Sequence, residues 1–177
     1  MALFHRRIDI EVEEGPGGRM LLSGTLHDTR LGNPLHVMKV RADVDPLDGR
    51  VHLLEGEMLH VPHEDCHHAL RTLERLVGER IVPGFTQLVR DTLWSQEGCT
   101  HLAVLVTDLG HASVQGRGAL LVHRLGGDER AVRLMREQLL QLAIVDNCYT
   151  WREDGPLVKG LREAAERGGE SGGETEA

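Results

Sequence analysis

The feature that most constrains this chain is a change of hydrophobic period near residue 62. Before it, apolar and charged residues alternate in runs of about ten separated by turn chemistry. After it, apolar residues recur every three or four positions. Phe4 to Glu14 places Ile8, Ile10 and Val12 on one side, and Gly15-Pro16-Gly17-Gly18 then breaks the run. Arg19 to Asp28 carries Met20, Leu22 and Leu26 at even positions, and Leu35 to Asp45 carries Met38, Val40, Ala42 and Val44 opposite Lys39, Arg41 and Asp43. Pro46-Leu47-Asp48-Gly49 is a turn, after which Arg50 to His60 alternates through Val51, Leu53 and Met58. These runs predict a four-stranded antiparallel meander over about residues 4–60 with one wet face, and the segment Thr29 to Leu35 reads as a loop.

From Pro62, the stripe Cys66, Ala69, Leu70, Leu73, Leu76 and Val77 predicts an amphipathic helix ending near Gly78. A second, from about Pro83 to Trp94, carries Phe85, Leu88, Val89 and Leu93. A third begins around Cys99 with Leu102, Ala103, Val106 and Leu109 inward. Residues 116–127 give no decisive pattern. Asp128 to Ile144 reads as a helix with Val132, Met135, Leu139 and Leu142 on its seam. The expectation is an α+β fold: the meander packed against a C-terminal set of about four helices spanning residues 63–163. The whole forms a single domain, 1–163. Residues 164–177 are expected to be a disordered tail rich in Gly and Glu, whose composition cannot bury a core.

With 177 residues, 40% of them apolar, the chain is long enough for one real core. Its net charge of -8 opposes a phosphate backbone, and no Lys/Arg stripe is interleaved with aromatics, so nucleic acid is not an expected partner. No apolar run approaches the roughly 20 residues of a membrane span, and the N-terminus turns charged at once, so no membrane association and a cytoplasmic location are expected. Cys66, Cys99 and Cys148 are odd in number and widely spaced, which suits reduced thiols rather than a disulfide framework. The wet face of the sheet leaves room for a homodimer.

Parity locates the chemistry. His36 shares parity with Met38, Val40 and Ala42, and Asp28 with Met20, Leu22 and Leu26, so both face inward at one end of the sheet. A carboxylate there would fix the tautomer of the imidazole and raise its basicity, serving a general base or a metal ligand. The bland alternative is a polar cap on the sheet end. Gly98-Cys99-Thr100-His101 opens a helix, where the free amides and dipole favour thiolate. Residues two apart on a regular helix point to nearly opposite sides. Cys99 and His101 are therefore expected to find partners on the sheet rather than each other, with Cys99 facing His36 and Asp28. The bland alternative makes Cys99 a small core residue and His101 a surface residue. Cys66 lies on an apolar stripe, and Cys148 sits beside Tyr149 and Trp151 in what could be a pocket wall.

Several of these segments together resemble the family catalogued as domain of unknown function 2889. They are Leu26-His27-Asp28-Thr29-Arg30, Pro34-Leu35-His36-Val37-Met38, Pro62 with Cys66, and Gly78-Glu79-Arg80-Ile81-Val82-Pro83-Gly84-Phe85. Gly98-Cys99-Thr100-His101-Leu102, and Asn147-Cys148-Tyr149 leading to Asp154-Gly155, complete the set. The resemblance spans about residues 5–157, and Val37 departs from the acidic residue expected between His and Met. Its members resemble proteins of acyl-CoA and aromatic-acid catabolism, which implies acyl-thioester hydrolysis as the activity.

Two function classes follow. One is a small hydrolase of acyl thioesters, of acyl-CoA type, with His36 as base, Asp28 orienting it and Cys99 or water as nucleophile. His101 or the amides at the helix start would stabilise the oxyanion, and no cofactor is needed. The other is a metal-binding protein in which Cys66, Cys99, His101 and Cys148 hold zinc or an iron–sulfur cluster, although no Cys-x-x-Cys spacing supports it. A module that binds a small acyl or carboxylic acid without turnover is the blander outcome.

Overall fold

The computed structural model describes residues 1–141 and 145–170. Four strands, β1 (Phe4–Glu14), β2 (Met20–Arg30), β3 (Asn33–Val44) and β4 (Val51–His60), form one antiparallel sheet in the order β1-β2-β3-β4. Four α-helices follow: α1 (Phe85–Leu93), α2 (Thr100–Arg124), α3 (Glu129–Gln141) and α4 (Pro156–Glu170). A 3₁₀ helix, Glu64–Leu76, lies between sheet and α1, and a short 3₁₀ turn, Tyr149–Trp151, precedes α4. The class is α+β, with the meander preceding the helices. Backbone proximity divides the chain into two compact units, Met1–Arg117 and Gly118–Ala177.

In the first unit the inward parity of the strands is the core: Met20, Leu22, Leu26, Met38, Val40, Ala42 and Val44 are buried. The helical side contributes Leu73, Leu76, Phe85, Val89 and Leu93, with Leu102, Ala103, Leu105, Val106 and Leu109 from α2. At about 25 cal/mol per Å² of apolar surface removed from water, each such Leu or Val contributes roughly 1.5–3 kcal/mol. Gly24 marks the close approach of α2 to the sheet: a Cβ there would lie 3.0 Å from Leu105 Cδ1 and 3.3 Å from Leu109. This contact fixes where the first turns of α2 run over β2.

The sheet departs from the sequence expectation in two places. Thr29 to Leu35 is not a loop: β2 and β3 are joined by Leu31-Gly32 alone, with φ of 52° and 81°, the double positive φ that a tight hairpin turn requires. The extra residue sits instead inside β3, where Asp28 pairs with His36 and Thr29 with Pro34, leaving Leu35 as a bulge. In β4, Asp43 pairs with Leu53 and Val44 with Val51, so His52 is bulged and parity flips across it. Leu53 is thereby turned out, 46% exposed, and Leu54 is buried at 6%.

The segment after Pro62 winds as a 3₁₀ helix, not an α-helix. Three residues per turn align Ala69, Thr72, Leu73 and Leu76 inward, and Val77, expected inside, is exposed. The undecided stretch 116–127 continues α2 to Arg124. In the second unit Ala131, Val158 and Leu161 are buried. Of the expected α3 seam, Leu142 lies outside the described residues, as do residues 171–177 of the tail. No helix among the described residues is long and apolar enough to cross a membrane.

Candidate functional site

Asp28 is fully buried at the end of β2, and everything polar around it converges on its carboxylate. Arg6, directly opposite on β1, donates twice: Nε to Oδ1 at 2.8 Å and Nη2 to Oδ2 at 2.8 Å. This bidentate fork is the strongest pairing the two side chains can make. His36, directly opposite on β3, donates from Nδ1 to Oδ2 at 3.2 Å. His101 arrives from the first turn of α2, its Nε2 3.7 Å from the same oxygen. The two imidazoles lie against each other, ring centres 3.8 Å apart and tilted by 31°. The bulge at Leu35 immediately precedes His36 and sets its register.

On the far side of His101, Cys99 Sγ lies 3.7 Å from Nδ1. The sequence expectation that these two residues would avoid each other fails for a definite reason. The first backbone bond of α2 runs from Ala103 N–H to the Cys99 carbonyl, so Cys99 caps the helix and is not constrained to helical side-chain directions. Thiol, imidazole and carboxylate are therefore in line, Cys99 to His101 to Asp28. The expected contact of Cys99 with His36 and Asp28 is replaced by its contact with His101.

The electrostatics follow from burial and this crowding. Burial works to raise the Asp28 carboxyl, but the hydrogen bonds from Arg6, the Arg6 and His101 charges and the His36 hydrogen bond outweigh it and hold it below its ordinary value. The same hydrogen bond holds the Arg6 guanidinium more firmly charged. His101 is pushed below its ordinary value by burial, then by His36 and Arg6, with Asp28 opposing. Burial thus favours the neutral form of the His101 imidazole, whose Nε2 faces Asp28 and whose Nδ1 faces the thiol.

Among the described residues, Asp28, His36 and His101 are the one group of three or more metal-type donors, with one ligand atom from each within 4.8 Å of the others. No cysteine joins it. Cys66 is half-buried on the 3₁₀ helix, and Cys148 is exposed in the second unit beside Tyr149, itself 80% exposed. Of the expected ligands Cys66, Cys99, His101 and Cys148, Cys99 and His101 are in contact within the first unit, while Cys148 belongs to the second, and the Tyr149 side chain is exposed. Arg6 was missed by sequence reasoning although the signal was present: it shares the parity of Ile8, Ile10 and Val12 on β1, a charged residue on an inward face.

No curated protein and no solved structure matches the chain among those compared. A family profile does, over residues 4–115, the span that contains Arg6, Asp28, His36, Cys99 and His101. The chain thus belongs to the family described as "Protein of unknown function (DUF2889)".

Proposed function

We propose that this protein hydrolyses acyl thioesters through Cys99, with His101 as the base and Asp28 as the group that orients it. The observation that carries the reading is the line Cys99 Sγ, His101 Nδ1, His101 Nε2, Asp28 Oδ2, with 3.7 Å at each end. It is the nucleophile–base–orienter constellation of covalent acyl transfer, and such contacts tighten only with substrate in place. The acyl-CoA class, aromatic acids included, is what the family resemblance adds to the geometry.

The steps balance as follows. His101 Nδ1 takes the thiol proton as Sγ attacks the carbonyl carbon, and the carbonyl oxygen becomes an oxyanion. The amides of Thr100, His101 and Leu102, which precede the first helical hydrogen bond of α2, are the nearest built-in donors for it. Collapse expels the substrate thiolate, which takes the proton back from Nδ1 and leaves an acyl group on Cys99. A water then gives its proton to His101, or to the free Nε2 of His36, and attacks that acyl group. Cys99 leaves as the thiol and the acid is released. The carboxylate of Asp28 stabilises the transient imidazolium, and Arg6 keeps that carboxylate ionised.

A second reading rests on the separations of Asp28 Oδ2 from His36 Nδ1 and His101 Nε2, 3.2 and 3.7 Å. These bracket the roughly 3.4 Å between ligand atoms of a tetrahedral zinc with bonds of about 2.0–2.1 Å. The Arg6 guanidinium on the same carboxylate weighs against a cation there.

The test is release of free thiol from a panel of aliphatic and aromatic acyl-CoA substrates, with mass spectrometry of the quenched protein. Cys99→Ala and His101→Ala are expected to fold normally and lose about 10²- to 10⁴-fold in turnover, and the acyl group should be found on Cys99. Wild-type turnover by both variants would exclude the thiol mechanism. Activity that vanishes with a chelator and ignores Cys99 would favour the second reading.

A further inference from the structure

Among the described residues β1 is an edge of the sheet, paired with β2 and with no strand on its other side, and every residue from Phe4 to Glu14 is exposed or half-buried. The outward-facing amides and carbonyls of an edge strand are a template for another strand unless the chain blunts them. This strand contains no proline, lysine or bulge. Its charges are instead polarised, His5, Arg6 and Arg7 in the first half and Asp9, Glu11 and Glu13 in the second.

We propose that the β1 edge pairs antiparallel with β1 of a second copy of this chain, about a two-fold axis at Ile8. The inference is independent of the thioesterase reading. An antiparallel pair of identical strands can keep one face of the continuous sheet inward only in registers that oppose residues of equal parity. A two-fold axis at Arg7 opposes Arg7 to Arg7. Centring at Asp9 opposes Asp9 to Asp9, and centring at Ile10 opposes Asp9 to Glu11. Centred at Ile8, the outer face places Arg7 opposite Asp9 and His5 opposite Glu11, each twice, with no like charges directly opposed. Cross-strand pairs of opposite sign stabilise a sheet and like pairs destabilise it, so this register is selected by charge alone. On the inner face Ile8 meets Ile8, Phe4 meets Val12 and Arg6, whose guanidinium is held by Asp28, meets Ile10. This covers Phe4, which is 52% exposed, and the half-buried Ile8 and Val12. The interface is isologous and closes, which limits the assembly to two chains.

Analytical ultracentrifugation of the full chain over a wide concentration range tests this, with circular dichroism confirming the fold of each variant. The wild type is expected to show a monomer–dimer equilibrium that weakens at high salt. Arg7→Asp places Asp opposite Asp9, and Asp9→Arg places Arg opposite Arg7; each should weaken association by about tenfold or more. The double variant Arg7→Asp with Asp9→Arg restores both opposite pairs and also the ion pair the two residues make within the strand, 2.6 Å in the structure. It should dimerise like the wild type. A monomer at every concentration, a dimer indifferent to either single change, or a double variant as weak as the singles would overturn the proposal.

Discussion

Asp28 is the residue on which the site depends, because it is the one acceptor shared by a guanidinium and two imidazoles. Asp28→Asn keeps the size of the side chain but takes from Arg6 its hydrogen-bonded anion, leaving only the weaker attraction of Asp108. Its expected cost is about 2–3 kcal/mol, below the upper range for a broken buried pair because Arg6 retains access to water. Chemical denaturation checks it. The pH dependence has a definite sign. His101 is held below its ordinary value, so as pH falls through about 6.5 the unfolded chain gains a proton that the folded one refuses, and stability declines. Asp28 is held below its ordinary carboxylate value, so its stabilisation is complete above about 4 and is lost as pH falls further, through its folded value. Both losses lie on the acid side. A urea midpoint that falls in two stages on acidification, the upper stage missing in His101→Gln, is the expected result. Asp28 and His36 were legible from parity. Arg6 was equally legible but invisible to a search that sorted β1 residues into apolar and charged. The Cys99–His101 contact was not, because it depends on which residue caps α2.

At the level of elements, the alternating runs specified four strands and their order, since each turn is too short for anything but antiparallel neighbours. What alternation does not carry is a bulge. A residue inserted at His52 reverses the parity that Val51 sets, which is why Leu53 reads as core and Leu54 is core, while Met58, also read inward, is buried. Leu54→Ala is expected to cost about 2–4 kcal/mol in denaturant unfolding and Leu53→Ala under about 1. Equal costs would mean that β4 is paired in the unbulged register. The helical stripe after Pro62 was read at the right place with the wrong pitch. Three- and four-residue steps satisfy both windings over a short stretch, and Val77 is exposed because the helix ends at Leu76 and the chain is extended there.

Over the whole molecule, the family profile, residues 4–115, and the first compact unit, Met1–Arg117, coincide within a few residues. The stretch matched by the family therefore comprises the meander, the 3₁₀ helix, α1 and the first two-thirds of α2. Within that unit the site is assembled from contacts of very different span. His36 and Asp28 are eight positions apart across one tight hairpin, Arg6 and Asp28 are 22 apart across the next, and His101 must come from α2. Loops of that size close at different speeds, the short hairpins on the microsecond scale and longer closures later. During refolding the carboxylate should thus meet its cation before the thiol arrives. Pulse labelling with a thiol-specific alkylating agent is expected to find Cys99 alkylated at the rate of an ordinary thiol after the sheet signal has formed, and at a different rate only in a later phase, when His101 has reached Asp28. The meander would then act as a template: an ionised acid, already neutralised by Arg6, waiting for the helix that brings its reactive group.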